Sequence, residues 1–137
     1  MFFRKKKIES FERMTLRVTG MRDDDEFEAV CCGDTVEVSL YRMYYAYNER
    51  RLEGKSVCST KDFIEMLNSC NLANWDGFHG KHPKHVKDGT MFSMEATVDG
   101  GTTIRADGSE NFPRGYQDLE NAFYRMIRES QSSERGS

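Results

Sequence analysis

Short runs of alternating apolar and polar residues, each closed by a turn signal, constrain this chain more than anything else in it. Neighbouring side chains of a strand point to opposite faces, so such a run buries one face and wets the other. Met14, Leu16 and Val18 alternate with Arg13, Thr15 and Arg17. Phe27, Ala29 and Cys31 follow, interleaved with Glu28 and Val30, and then Val36, Val38 and Leu40 with Glu37 and Ser39. Gly20 to Glu26 and Gly33-Asp34 read as the turns between them, so the three runs predict an antiparallel meander. The acidic stretch Asp23-Asp24-Asp25-Glu26 reads as a solvated hairpin tip, because its spacing is not that of a calcium loop. A second hairpin is written in Phe92, Met94, Ala96 and Val98, the turn Asp99-Gly100-Gly101, and Thr102 to Ala106 with Ile104 and Ala106 facing inward.

Two segments carry a helical period instead. Ser59 can cap a helix with Asp62 three residues on, and Phe63, Ile64, Leu67 and Cys70 share one face. Asn71 tolerates the left-handed conformation that ends a helix. Further on, Asn111 is placed to cap and Pro113 to sit in a first turn. Tyr116, Leu119, Ala122, Phe123, Met126 and Ile127 then form an amphipathic stripe. Asn48 to Lys55 reads as a charged loop, with Ser56 to Ser59 at most a short edge strand. Asp107 to Asn111 reads as a loop. The expected fold is α+β in the order βββ-α-ββ-α: an antiparallel sheet of about five strands with two helices packed on one face.

Size agrees with this. At 137 residues the chain makes one domain, expected over 8–128, between a flexible basic N-terminus (1–7) and a disordered polar tail (129–137). Met1-Phe2-Phe3 followed by Arg4-Lys5-Lys6-Lys7 is a frayed end with at most weak attraction to an anionic membrane. No apolar run is long enough to span one. Cys31, Cys32, Cys58 and Cys70 contain no C-x-x-C, and adjacent Cys31 and Cys32 should face opposite ways. Buried free thiols in a reducing cytoplasm are expected.

Between the two halves lies Asn71-Leu72-Ala73-Asn74-Trp75-Asp76-Gly77-Phe78, holding the sole Trp. Asn71 and Asp76-Gly77 are a helix stop and a turn, so Trp75 and Phe78 are expected as apolar plugs of the core, Trp75 mostly buried. From Asn71 onward, Trp75-Asp76-Gly77-Phe78, Asp88-Gly89, Gly108-Ser109, Phe112-Pro113 and Tyr116 together resemble a type of small uncharacterised bacterial α+β domain. The resemblance covers about half the chain. It implies that these residues are corners and caps, and it implies no activity.

Several clusters carry residue types capable of chemistry. His79, His82 and His85 are spaced by three, but Pro83 breaks any helix there and Lys81, Lys84 and Lys87 oppose a cation, so neither a metal nor another cofactor is expected. The same basic loop beside aromatics could bind an anion or a single-stranded nucleic acid. A net charge of −3 disfavours nucleic acid. Gly108 to Pro113 ahead of a helix could hold an anion with Arg105 or Arg114, yet lacks the Lys-Ser/Thr of a P-loop. Ser109 lacks a nucleophile elbow, and Asp76, Asp88, Asp99 and Asp107 each precede Gly, as turn residues do. No catalytic motif is present, so an enzyme reading has no positive support in the sequence and stays open only as an alternative. The leading expectation is a non-catalytic cytoplasmic module that binds a protein partner or self-associates through the open sheet face. The four Tyr between Tyr41 and Tyr47 would contribute the outward phenols. The alternative is a small ligand-binding domain or enzyme with a pocket near Trp75, Phe78, His79, Asp107, Ser109 and Arg114. A further alternative is anion binding through Lys81, His82, Lys84, His85 and Lys87.

Overall fold

The computed structural model describes residues 7–20, 24–87 and 89–135. Among them the chain forms one mixed α+β unit: a seven-stranded sheet and two α-helices. The strands are β1 (Phe11–Thr19), β2 (Asp24–Cys32), β3 (Thr35–Tyr44), β4 (Glu49–Ser59), β5 (His79–Gly80), β6 (Met91–Val98) and β7 (Thr102–Ser109). The helices are α1 (Thr60–Ser69) and α2 (Tyr116–Arg135). The sheet order is β4-β3-β2-β1-β6-β7-β5. Neighbours are antiparallel except β5, which runs parallel to β7.

The two hairpin units of the sequence join through β1 and β6, where Leu16 faces Met94 and Met14 faces Ala96. Asp99 Oδ1 secures this join by accepting the N–H groups of Glu9 and Ser10 (2.8 and 2.9 Å). The inward residues are those the alternation marks: Leu16, Phe27, Val38, Met94 and Ile104 are all buried. Phe63 and Leu67 of α1 and Leu119, Phe123 and Ile127 of α2 close over them. Phe123 stacks on Phe27 at 5.1 Å between ring centres and meets Phe63 at 6.0 Å, so both helices share one face of the sheet. Ser59 caps α1 as expected, its hydroxyl accepting the Asp62 N–H at 3.0 Å, and Asn71 takes the left-handed conformation.

The sheet exceeds the expected five strands by two. β4 occupies the segment read as a charged loop. It escapes an apolar–polar reading because an edge strand exposed on both sides has no buried side to mark. What fixes it is pairing with β3, from Thr35 opposite Ser59 to Tyr44 opposite Glu49, with a bulge near Glu53. β3 stops at Tyr44, and Tyr45–Tyr47 form a 3-10 turn closed by Asn48 at φ 50°. β5 is two residues long, too short for any period. β7 continues through Asp107-Gly108-Ser109, which the turn residues had suggested was loop.

Other differences have local causes. Asp24 and Asp25 are not a solvated tip. They lie in β2, buried, each bound by an arginine. Asp23 and Asp88 lie outside the described residues, as do residues 1–6 of the basic terminus and 136–137 of the tail. Beyond residue 128 α2 continues to Arg135, and the Gln131 side-chain amide donates to Glu53 O (2.8 Å). Asn111 does not cap α2, which begins five residues later; its amide donates instead to Lys81 O (3.3 Å). Of the thiols, Cys70 is buried, Cys31 and Cys58 are half-buried, and Cys32, beside the β2–β3 turn, is exposed. No described helix is long and apolar enough to cross a membrane.

Candidate interaction face

The face opposite the helices is open among the described residues, and the strand register sets its side chains in rows. One row crosses all seven strands: Leu52, Tyr41, Glu26, Arg17, Ser93, Asp107 and His79. The next runs from Lys55 through Ser39, Glu28, Thr15 and Glu95 to Arg105. Opposite charges set close together on a sheet attract. Arg50 contacts Glu28 at 2.8 Å and Glu26 at 3.3 Å, Lys55 contacts Glu37 at 2.7 Å, and Arg105 contacts Glu95 at 3.2 Å. Arg13 has no carboxylate partner among the described residues.

Short side chains between long ones leave hollows. One, of about 580 Å³, is lined by Thr15, Ser93 and Thr97 together with Arg13, Glu95 and Arg105. It shares Ser93 with a hollow of about 330 Å³ beside Thr19, Tyr45 and Met91. That one shares Arg17 and Asp24 with a third, which shares Tyr41 with a fourth of about 280 Å³ next to Val30 and Lys55. Four linked depressions thus run across the helix-free face.

Asp24 and Asp25, adjacent in β2, anchor this end of the sheet on its two faces. Asp24 accepts from Arg17 Nε and Nη2 (3.0 and 2.7 Å) and from the Tyr45 hydroxyl. The hydrogen bond from Arg17 holds the Asp24 carboxyl below its usual range despite burial, and the same contact raises Arg17. Tyr45 is raised by its hydrogen bond to Asp24. On the helix side Asp25 accepts from Arg42 Nε and Nη2 (2.7 and 3.1 Å) and from the Tyr124 hydroxyl of α2 (2.7 Å). Both pairs are two-pronged, the geometry in which a guanidinium fits a carboxylate best. Sequence reading missed these triads. The available signal was positional: a strand beginning near residue 24 sets both carboxylates opposite β1 and β3, which carry Arg17 and Arg42.

At the rim, the β3–β4 connection gathers aromatics and cations. Arg50 lies over the Tyr41 ring at 3.7 Å, and Arg51 over Tyr44 and Tyr47 at 4.5 and 5.3 Å. Tyr45 and Tyr47 are 68% and 72% exposed, and Leu52 and Val57 of β4 are also exposed.

The residues singled out from sequence divide between two places. Trp75 is a core residue, 1% exposed, its indole N–H donating to Arg114 O at 2.8 Å. Phe78 packs beside it on Phe92, with rings 6.3 Å apart. The Arg114 side chain is exposed. His79 and Asp107 meet on the open face through Nδ1 and Oδ1, and His82 Nδ1 meets Ser109 Oγ at 2.7 Å. Trp75 does not join them, because its ring points into the core. Lys81, Lys84, His85 and Lys87 are exposed. No three described His, Cys, Asp or Glu side chains converge in a way that could hold a metal. No family model, curated protein or solved structure matches the chain.

Proposed function

We propose that the chain is a protein-binding module that engages its partner through the helix-free face of the sheet, anchored on the Tyr/Arg rim of the β3–β4 connection. The observation that carries this reading is the rim itself. Tyr45 stands exposed beside a hollow of this face, and Arg50 is pre-stacked on the Tyr41 ring. Tyr and Arg dominate binding hot spots because they offer large contact area, and rings already stacked lose little freedom on binding. The adjoining hollows receive protruding side chains. The paired charges around them select a partner by complementarity more than they add affinity. Arg13 is free to take a carboxylate from the partner. The apolar contribution comes from Val30, Leu52, Val57 and Met91, which are exposed on or beside this face.

The test compares wild type with a Tyr45→Ala/Arg50→Ala double variant, both residues lining hollows of the helix-free face. Sedimentation of the purified chain across concentrations reads self-association, and quantitative enrichment from the cell of origin reads a different partner. The proposal expects one stoichiometric complex, either with a second copy or with another protein. The double variant should weaken it by at least about 2 kcal/mol, roughly thirty-fold, whereas Asn121→Ala on exposed α2 leaves it intact. A complex that survives the double variant unchanged would remove the rim from the interface.

A further inference from the structure

The β5–β7 edge holds a pair of groups that partner binding does not use. We propose that Ser109 is an activated nucleophile, with His82 as its base, and that this edge reacts with small activated esters. The inference rests on which nitrogen of His82 faces what. His82 Nε2 lies against the carbonyl of Val86, and a carbonyl only accepts, so Nε2 carries the hydrogen. In the neutral ring Nδ1 is then bare, and the group 2.7 Å from it is the Ser109 hydroxyl. The Ser109 O–H therefore donates to Nδ1, the polarity a general base requires.

The surroundings hold this arrangement. A Cβ on Gly108 would fall 2.0 Å from the Asn111 carbonyl oxygen, and one on Gly80 2.5 Å from the same atom, so only glycine lets the 111 segment pack against β5 and β7. Glu110, directly after Ser109, sits at φ 47° with its carboxylate accepting the Thr90 N–H at 2.6 Å. Ser109 is fixed between the two. Ser109 lies opposite Met91 in the register, and Met91 lines the 330 Å³ hollow with Thr19 and Tyr45.

The chemistry balances without metal or redox partner. Ser109 Oγ adds to the ester carbonyl carbon as its proton passes to His82 Nδ1. The carbon–oxygen bond to the alcohol breaks, and the leaving oxygen takes that proton back. Water, deprotonated by His82 in the same way, then releases the acid and restores Ser109.

The experiment uses a fluorophosphonate probe on the full chain, with adducts located by mass spectrometry and p-nitrophenyl acetate turnover read in parallel. The expected result is an adduct on Ser109 in clear excess over exposed Ser10. The rate should fall about 100-fold in His82→Gln, within the range of general-base contributions, and stay unchanged in His85→Ala. Ser109→Ala should abolish both adduct and turnover. If His82 and Ser109 only pin the loop, wild type gives no preferential adduct while Ser109→Ala speeds amide exchange across residues 81–87. That outcome, or a labelling rate indifferent to His82, overturns the proposal. Circular dichroism of each variant separates lost reactivity from lost folding.

Discussion

Trp75 shows how a single residue can join distant parts of the chain. Its ring fills the space between Phe92 and Tyr116, and its N–H satisfies the Arg114 carbonyl just before α2. Trp75→Phe keeps most of the packing but orphans that carbonyl, so urea unfolding should register a loss of about 1–3 kcal/mol. Trp75→Ala should cost about 3–5 kcal/mol. The burial of Trp75 was legible in sequence because a lone Trp between a helix stop and a turn has few other places to go. The roles of Asp24 and Asp25 were not legible, since a run of acids looks solvated until the register supplies its arginines. Asp24 gives a pH prediction. Its carboxyl is depressed in the folded state by the Arg17 hydrogen bond. The stability this contributes is complete above the unfolded value near pH 3.9 and is lost as pH falls through the lower folded value. Urea midpoints should therefore drop on acidification below about pH 4. Asp24→Asn should be less stable at neutral pH and show a shallower acid limb. An acid limb of unchanged steepness in the variant would show that Asp24 does not set it.

At the scale of elements, α2 is tied to the sheet by two different devices. Ile127 and Gln131 lie over Gly54 of β4, where an added Cβ would come within 2.7 Å of Ile127 Cγ2 and 3.1 Å of Gln131 Nε2. Gly54→Ala should lift the helix and cost about 1–3 kcal/mol by overpacking, read as a lower thermal midpoint. Tyr124 makes the second attachment through Asp25. Burial first, and that hydrogen bond second, push its phenol well above the ordinary value. A group raised in this way contributes stability that is full below its unfolded value, about 10, and is lost as pH rises beyond it. Tyr124→Phe should lose about 1.5–3 kcal/mol at neutral pH, since the acceptor is charged, and should flatten the alkaline limb of stability against pH. Alternation exposed β1, β2, β3, β6 and β7 because each has one wet and one dry side. β4 is wet on both sides except under α2, and β5 is too short to have a period. The last turns of α2 are polar, so only their contact with β4 distinguishes them from a tail.

On the scale of the whole molecule, the sequence predicts the hairpins but not how they join. The pairing of Leu16 with Met94 links residues far apart in the chain, and no local pattern encodes it. That one pairing fuses two small sheets into seven strands and creates the continuous open face. The candidate site divides in the same way. Individual tyrosines, histidines and acids were visible, but the rows that set Arg17 between Glu26 and Ser93, or His79 on Asp107, exist only once the strands are in register. The claim that the helix-free face with its Tyr/Arg rim binds a partner is tested most directly by a photocrosslinking residue placed at Leu52, at Val57, or at Asn121 on α2. Crosslinking in the cell of origin should give one discrete adduct from positions 52 and 57 and none from 121. An adduct from 121 alone, or none from either rim position, would contradict the assignment.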